Sequence, residues 1–148
     1  MSLQNWLRNG WLTEHETSPQ EIADLFAVVD RDLADAQVAG LSPDTRLRLA
    51  YNAALQAATA ALAASGYRVA RRERHHYLTI ESLADTIGAD SDLITRFDKF
   101  RKKRNIGDYE RVGMVSDQEA DEMFDLACAL RRSVEKWIAV NHPEVLER

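Results

Sequence analysis

Tyr51-Asn52-Ala53-Ala54-Leu55-Gln56-Ala57-Ala58 lies inside a helix that Ser42-Pro43 opens and Gly66 closes, with Leu47, Tyr51, Ala54, Leu55, Ala58, Ala61 and Leu62 at helical spacing. The alanine pairs at 53–54 and 57–58 remove bulk over two turns, so a neighbouring backbone can approach closely while the intrinsic propensity of alanine holds the helix. Such a stretch needs helices on its flanks. Ser18-Pro19-Gln20-Glu21 reads as a capping box with proline at the first helical position, and Ile22, Leu25, Phe26, Val29, Leu33 and Ala36 follow on one face up to Gly40. Ser116-Asp117-Gln118-Glu119 is a second capping box. It opens a helix of six to seven turns through Ala120, Met123, Phe124, Ala127, Leu130, Val134, Trp137 and Ile138, which Pro143 terminates.

Between these helices, Tyr67 to Arg74 is polar and arginine-rich and reads as a connecting loop. Helix resumes near Tyr77, with Leu78, Ile80, Leu83, Ala84 and Ile87 before a stop at Gly88. Asp90 or Ser91 then caps a helix carrying Leu93, Ile94, Phe97 and Phe100, which Gly107 is expected to end. No segment alternates with period two, and no repeat is present. The expected fold is all-α: residues 18–148 form a single helical-bundle domain, and residues 1–17 form an extension that docks on it. Trp6, Trp11 and Trp137 are the expected anchors, holding that extension on the last helix.

The chain has 148 residues, enough to bury a core without metal or disulfide staples. Its one cysteine, Cys128, falls in an apolar helical pattern and points to a reducing compartment. With no run long enough to span a bilayer and no basic start followed by an apolar stretch, the expected location is cytoplasmic. The net charge of −5 argues against indiscriminate nucleic-acid binding. Charge is nevertheless concentrated, because Arg96 to Arg104 holds six Lys/Arg against Asp98 alone. A small phosphate group fits such a patch better than a long polyanion.

On a wheel of about 100° per residue, Arg104 falls on the Leu93–Phe97–Phe100 stripe, while Lys102 and Lys103 fall on the solvent side and the flank. An arginine on a buried stripe needs a partner. Two readings stand: Arg104 lines a cleft and presents its fork to phosphate, or it closes the helix end by pairing with Asp108.

The Tyr51 to Ala58 stretch, the His75-His76 pair, and Arg104-Asn105 followed by Asp108-Tyr109 together resemble the HEPN superfamily of small helical proteins, over roughly Pro19 to Val140. The resemblance implies an antiparallel four-helix bundle with a short extra helix, commonly a homodimer in which two Arg-polar motifs meet. It implies binding of a nucleotide or RNA phosphate by Arg101, Lys102, Arg104 and Asn105, with no cofactor. Active relatives in that group are metal-independent endoribonucleases, often toxins paired with a nucleotidyltransferase antitoxin. Catalytic roles would fall to Arg104, Asn105, Asp108 and Tyr109. This chain departs from the active pattern, since Tyr109, Glu110 and Arg111 stand where the histidine is expected. A carboxylate with a reference pKa of about 3.9, or a phenol near 10, is poorly matched to proton transfer at neutrality, so binding is expected over efficient cleavage.

His75 and His76 are neighbours that do not share a helix face, and they lack further ligands for a metal. One is expected to cap or pack at a helix start and the other to be exposed, while His15 and His142 carry no signal. Two other functions compete. Leu83-Ala84-Asp85-Thr86-Ile87-Gly88 followed by Ile94 has the spacing of a DNA-binding helix-turn-helix, although Asp90 and Asp92 would open its recognition helix. A non-catalytic protein-interaction module is the other.

Overall fold

The computed structural model describes residues 2–70, 74–109 and 115–146, of which 105–109 by their backbone. Among these residues the chain is mostly helical, with six α-helices and one short antiparallel strand pair. α1 spans Leu3–Arg8, α2 Pro19–Asp35, α3 Pro43–Ala64, α4 His75–Glu81, α5 Ser91–Tyr109 and α6 Asp117–Asn141.

Helix α3 is the axis of the molecule, as its alanines require. Ala50, Ala53, Ala54, Ala57, Ala58, Ala60 and Ala61 are fully inaccessible. With small side chains on several faces, α3 packs against α2 and α6 most extensively and also against α4 and α5. Ile22, Phe26 and Val29 from α2, and Met123, Ala127, Leu130, Val134 and Ile138 from α6, complete that core. From the other side Ile80, Leu83, Phe97 and Phe100 close it. The α5 stripe is thus borne out. Ser116 and Glu119 form the reciprocal capping box expected of α6. Ser18 accepts from the Glu21 backbone N–H at 3.1 Å, but the Glu21 carboxylate turns to His15 and Thr17, so only half of the first box forms. Asp90 caps α5 by accepting from the Leu93 N–H at 2.9 Å.

Several expectations are corrected. The first three residues of the expected loop form strand β2, Tyr67–Val69, which pairs antiparallel with β1, Leu12–Glu14, in the register Leu12 to Val69 and Glu14 to Tyr67. A three-residue strand is too short to show a period, and its partner lies far away in sequence. Gly66, with φ +95°, supplies the left-handed turn that leads from α3 into β2, and its carbonyl accepts from His15 N–H at 2.8 Å. Gly107 does not end α5, which continues to Tyr109; an internal glycine weakens a helix by only about 1 kcal/mol relative to alanine, which its neighbours can outweigh. Helix α4 begins at His75 and tightens into a 3-10 turn at Ser82–Ala84 before Gly88, φ +73°.

The N-terminal segment docks elsewhere than expected. Trp6 and Leu12 form a second apolar cluster with Leu62 and Leu78, against which Trp11, Tyr67 and Tyr77 pack. Trp137 instead joins the main core and meets His142 edge-on at 5.0 Å. The β1–β2 pairing decides the location, because it carries the tryptophans to the end of α3 and to α4. Among the described residues no helix is long and apolar enough to cross a membrane.

Candidate functional site

Where α3, α4 and α5 meet, the apolar packing gives way to a polar cluster. Tyr51 is 1% exposed on α3, with its ring edge-on to Phe97 of α5 at 5.7 Å between centroids. Its hydroxyl lies 3.2 Å from Nδ1 of His76, in the first turn of α4. The Arg104 guanidinium from α5 lies 5.5 Å from the centre of the same ring. A histidine, a phenol and an arginine from three helices therefore share one locus, and the arginine is the one on the apolar stripe.

Electrostatics follow from this crowding. Burial pushes the Tyr51 phenol far above its ordinary value, against the opposing pull of Arg104 and Arg101, so it stays protonated throughout the physiological range. Burial first, and then the charges of Arg104, His75 and Arg101, hold His76 below the usual histidine value of 6.5. The ring is neutral at pH 7. The charges of Arg104 and Arg101 beside a neutral imidazole would favour an anionic ligand over a cationic one.

Other cations of the basic stretch pair with nearby carboxylates. Asp98 accepts from Nε of Arg101 at 2.6 Å and lies 3.5 Å from Nζ of Lys102, while Arg96 pairs with Asp92 at 3.1 Å. Arg101 also lies over the Tyr77 ring at 5.7 Å, and Arg74 approaches that ring at 5.2 Å and Trp11 at 5.5 Å. Arg74 and Arg101, from two separate arginine-rich stretches, thus converge on Tyr77. Lys102 is exposed, as expected. Lys103 is not: it reaches Glu119 of α6 at 3.4 Å, because the flank of α5 faces the start of that helix.

The site is therefore part expected and part new. Arg101, Lys102 and Arg104 share the C-terminal half of α5. The side chains of Asn105, Asp108 and Tyr109, and with them the expected Arg104–Asp108 pair, lie outside the described residues. His76 and Tyr51 are the functional candidates that residue-by-residue reasoning missed. Neither histidine is exposed; both are half-buried, His75 being lowered by burial as well. Wheel positions treat each helix alone, so the approach of α4 to Tyr51 was not visible in them. Among the described residues no cluster of His, Cys, Asp and Glu could hold a metal ion. Comparison with protein-family models, curated proteins and solved structures finds no match.

Proposed function

We propose that the chain is a HEPN-like domain that binds the phosphate of a nucleotide or of single-stranded RNA at Arg104, Arg101 and His76. The observation that carries this reading is the placement of His76 against Tyr51 beneath the charges of both arginines. In it, α2, α3, α5 and α6 are the four long bundle helices and α4 is the short extra one. Arg104 would present its fork to phosphate oxygens, and Asn105, next to it in sequence, would orient the group.

The tyrosine decides what His76 does. A protonated phenol is the stronger donor of the pair and donates to Nδ1, which leaves the ring proton of neutral His76 on Nε2. Nε2–H is then a hydrogen-bond donor for a phosphate oxygen and has no lone pair with which to take the ribose 2′-hydroxyl proton. The arrangement suits binding better than cleavage. Any endoribonuclease activity, with Asp108 or Tyr109 moving the proton, is expected to be slow and metal-independent. A homodimer with the C-terminal ends of α5 facing each other, and a nucleotidyltransferase antitoxin as regulatory partner, belong to the same proposal.

Titration with ATP and with a labelled short RNA, followed by fluorescence anisotropy, tests it. Arg104→Ala should weaken binding by roughly 10- to 100-fold, the equivalent of a lost charge-assisted hydrogen bond. Equal affinity in the variant, or no binding of either ligand to the intact protein, would refute the assignment.

A further inference from the structure

A separate cavity of about 360 Å³ lies on the other side of α4, between α2, α3 and β2. Its volume is at the small end of ligand pockets. Leu25, Leu62, Ala63 and Val69 form apolar walls. Polar groups are gathered at one side: the His15–Glu21 pair, Arg68 and His75, with Thr59 and Thr79 between the walls.

Which of those polar groups are still uncommitted defines the ligand. Glu21 is spoken for, because its two oxygens take Nε2 of His15 at 2.8 and 3.0 Å and one of them also accepts from Thr17. Burial pushes its carboxyl up, but Thr17, His15 and Arg68 outweigh burial and keep it ionised. The hydroxyl protons of Thr59 and Thr79 go to the carbonyls of Leu55 and His75 at 2.9 and 2.7 Å. Besides the Tyr67 phenol, two nitrogen donors are left among the described residues. His75 is half-buried and neutral at pH 7, and its ring nitrogens make no hydrogen bond among the described residues. Arg68 stands exposed at the rim, acting on Glu21 through its charge with no hydrogen bond among the described residues to fix its guanidinium. An amine would have to share Glu21 with His15 and Thr17 and would meet a guanidinium, whereas an acid would meet the donors of Arg68 and His75.

We propose that this cavity is a second ligand site, for a small monocarboxylate with a short apolar chain, the chain lying against Leu25, Leu62 and Val69 and the carboxylate held by Arg68 and a ring N–H of His75. The site is independent of the phosphate reading, since it uses the opposite histidine of the pair and none of the α5 cations. Because Glu21 repels an anion, selectivity for the acid depends on Arg68.

Amide chemical shifts followed during titration with hexanoate, hexanol and hexylamine test this. Hexanoate should give saturable shifts at Leu25, Ala63, Val69 and His75, and should bind about tenfold or more tightly than hexanol, with hexylamine weakest. Arg68→Gln, which changes an exposed side chain on β2, should bring hexanoate down to the level of hexanol without changing hexanol binding. A pocket that prefers hexylamine, that does not distinguish the acid from the alcohol, that keeps its preference in Arg68→Gln, or that shows no saturable shift with hexanoate would overturn the proposal.

Discussion

The two sides of α3 share one core but differ in polarity. Toward α2 and α6 it offers alanines with no exposed surface, and the neighbours answer with aliphatic side chains. Toward α4 and α5 it offers Tyr51, which packs on Phe97 and meets His76 and Arg104 at the edge of the same core. The first side gains stability from close approach. The second gathers polar groups at the place where the proposal puts a ligand, as expected where site and core share one scaffold.

Overfilling the alanine side should have the largest effect. Ala57→Leu adds three carbons where α3 has no free surface, and should cost about 1–3 kcal/mol or more, seen as a lower midpoint in urea with binding of RNA unchanged in the folded fraction. The same side has one polar exception. Asp32 of α2, 3% exposed, accepts from Nδ2 of Asn52 at 2.6 Å and from Arg31 at 3.1 Å. Asn52→Ala leaves a buried carboxylate one partner short, and should cost about 1–3 kcal/mol in the same assay.

On the polar side the sharper probe is pH. His75 and His76 have folded-state values lowered from 6.5, so in the window just below 6.5 the unfolded chain binds more protons than the folded one. Stability present above that value should therefore fall as pH drops through the window. His76→Gln should flatten the fall, which thermal unfolding between pH 7.5 and 5 would reveal. The smallest effect is expected at Lys103. Its pair with Glu119 links α5 to α6 at the surface, and Lys103→Ala should change stability by less than about 1 kcal/mol and leave phosphate binding intact. A large loss of binding there would blur the distinction between Arg104 and its neighbours.

The helices were legible because their signals are local. Capping residues, prolines at the first turn and three- to four-residue spacing mark the starts of α2, α3 and α6 and the ends of α3 and α6 within a residue or two, whereas α2 stops at Asp35, short of the expected Gly40. The Arg104 stripe was legible for the same reason. The β1–β2 pair was not, since its two halves are more than fifty residues apart and each is only three residues long. Docking of the tryptophans depends on that pairing and was misplaced with it. His76 was hidden in a similar way. The resemblance seeks a histidine a few residues after Arg104, whereas the fold brings one beside it from α4, a relation between helices that spacing along one chain cannot express. His15 likewise carries no pattern, and acquires its partner Glu21 only when the chain bends back at the start of α2.

The central claim is that His76 is a neutral donor waiting for an anion, and nitrogen NMR of its ring in the free and ligand-bound protein tests it most directly. The account predicts a midpoint below 6.5 in the free protein, a proton on Nε2 in the neutral form, and an upward move of the midpoint when a short single-stranded RNA or ATP is added, because a bound phosphate offsets the charges of Arg104 and Arg101. Binding should correspondingly tighten as the pH is lowered toward that midpoint. A midpoint that does not respond to either ligand, or a neutral ring whose Nε2 is unprotonated, would contradict it.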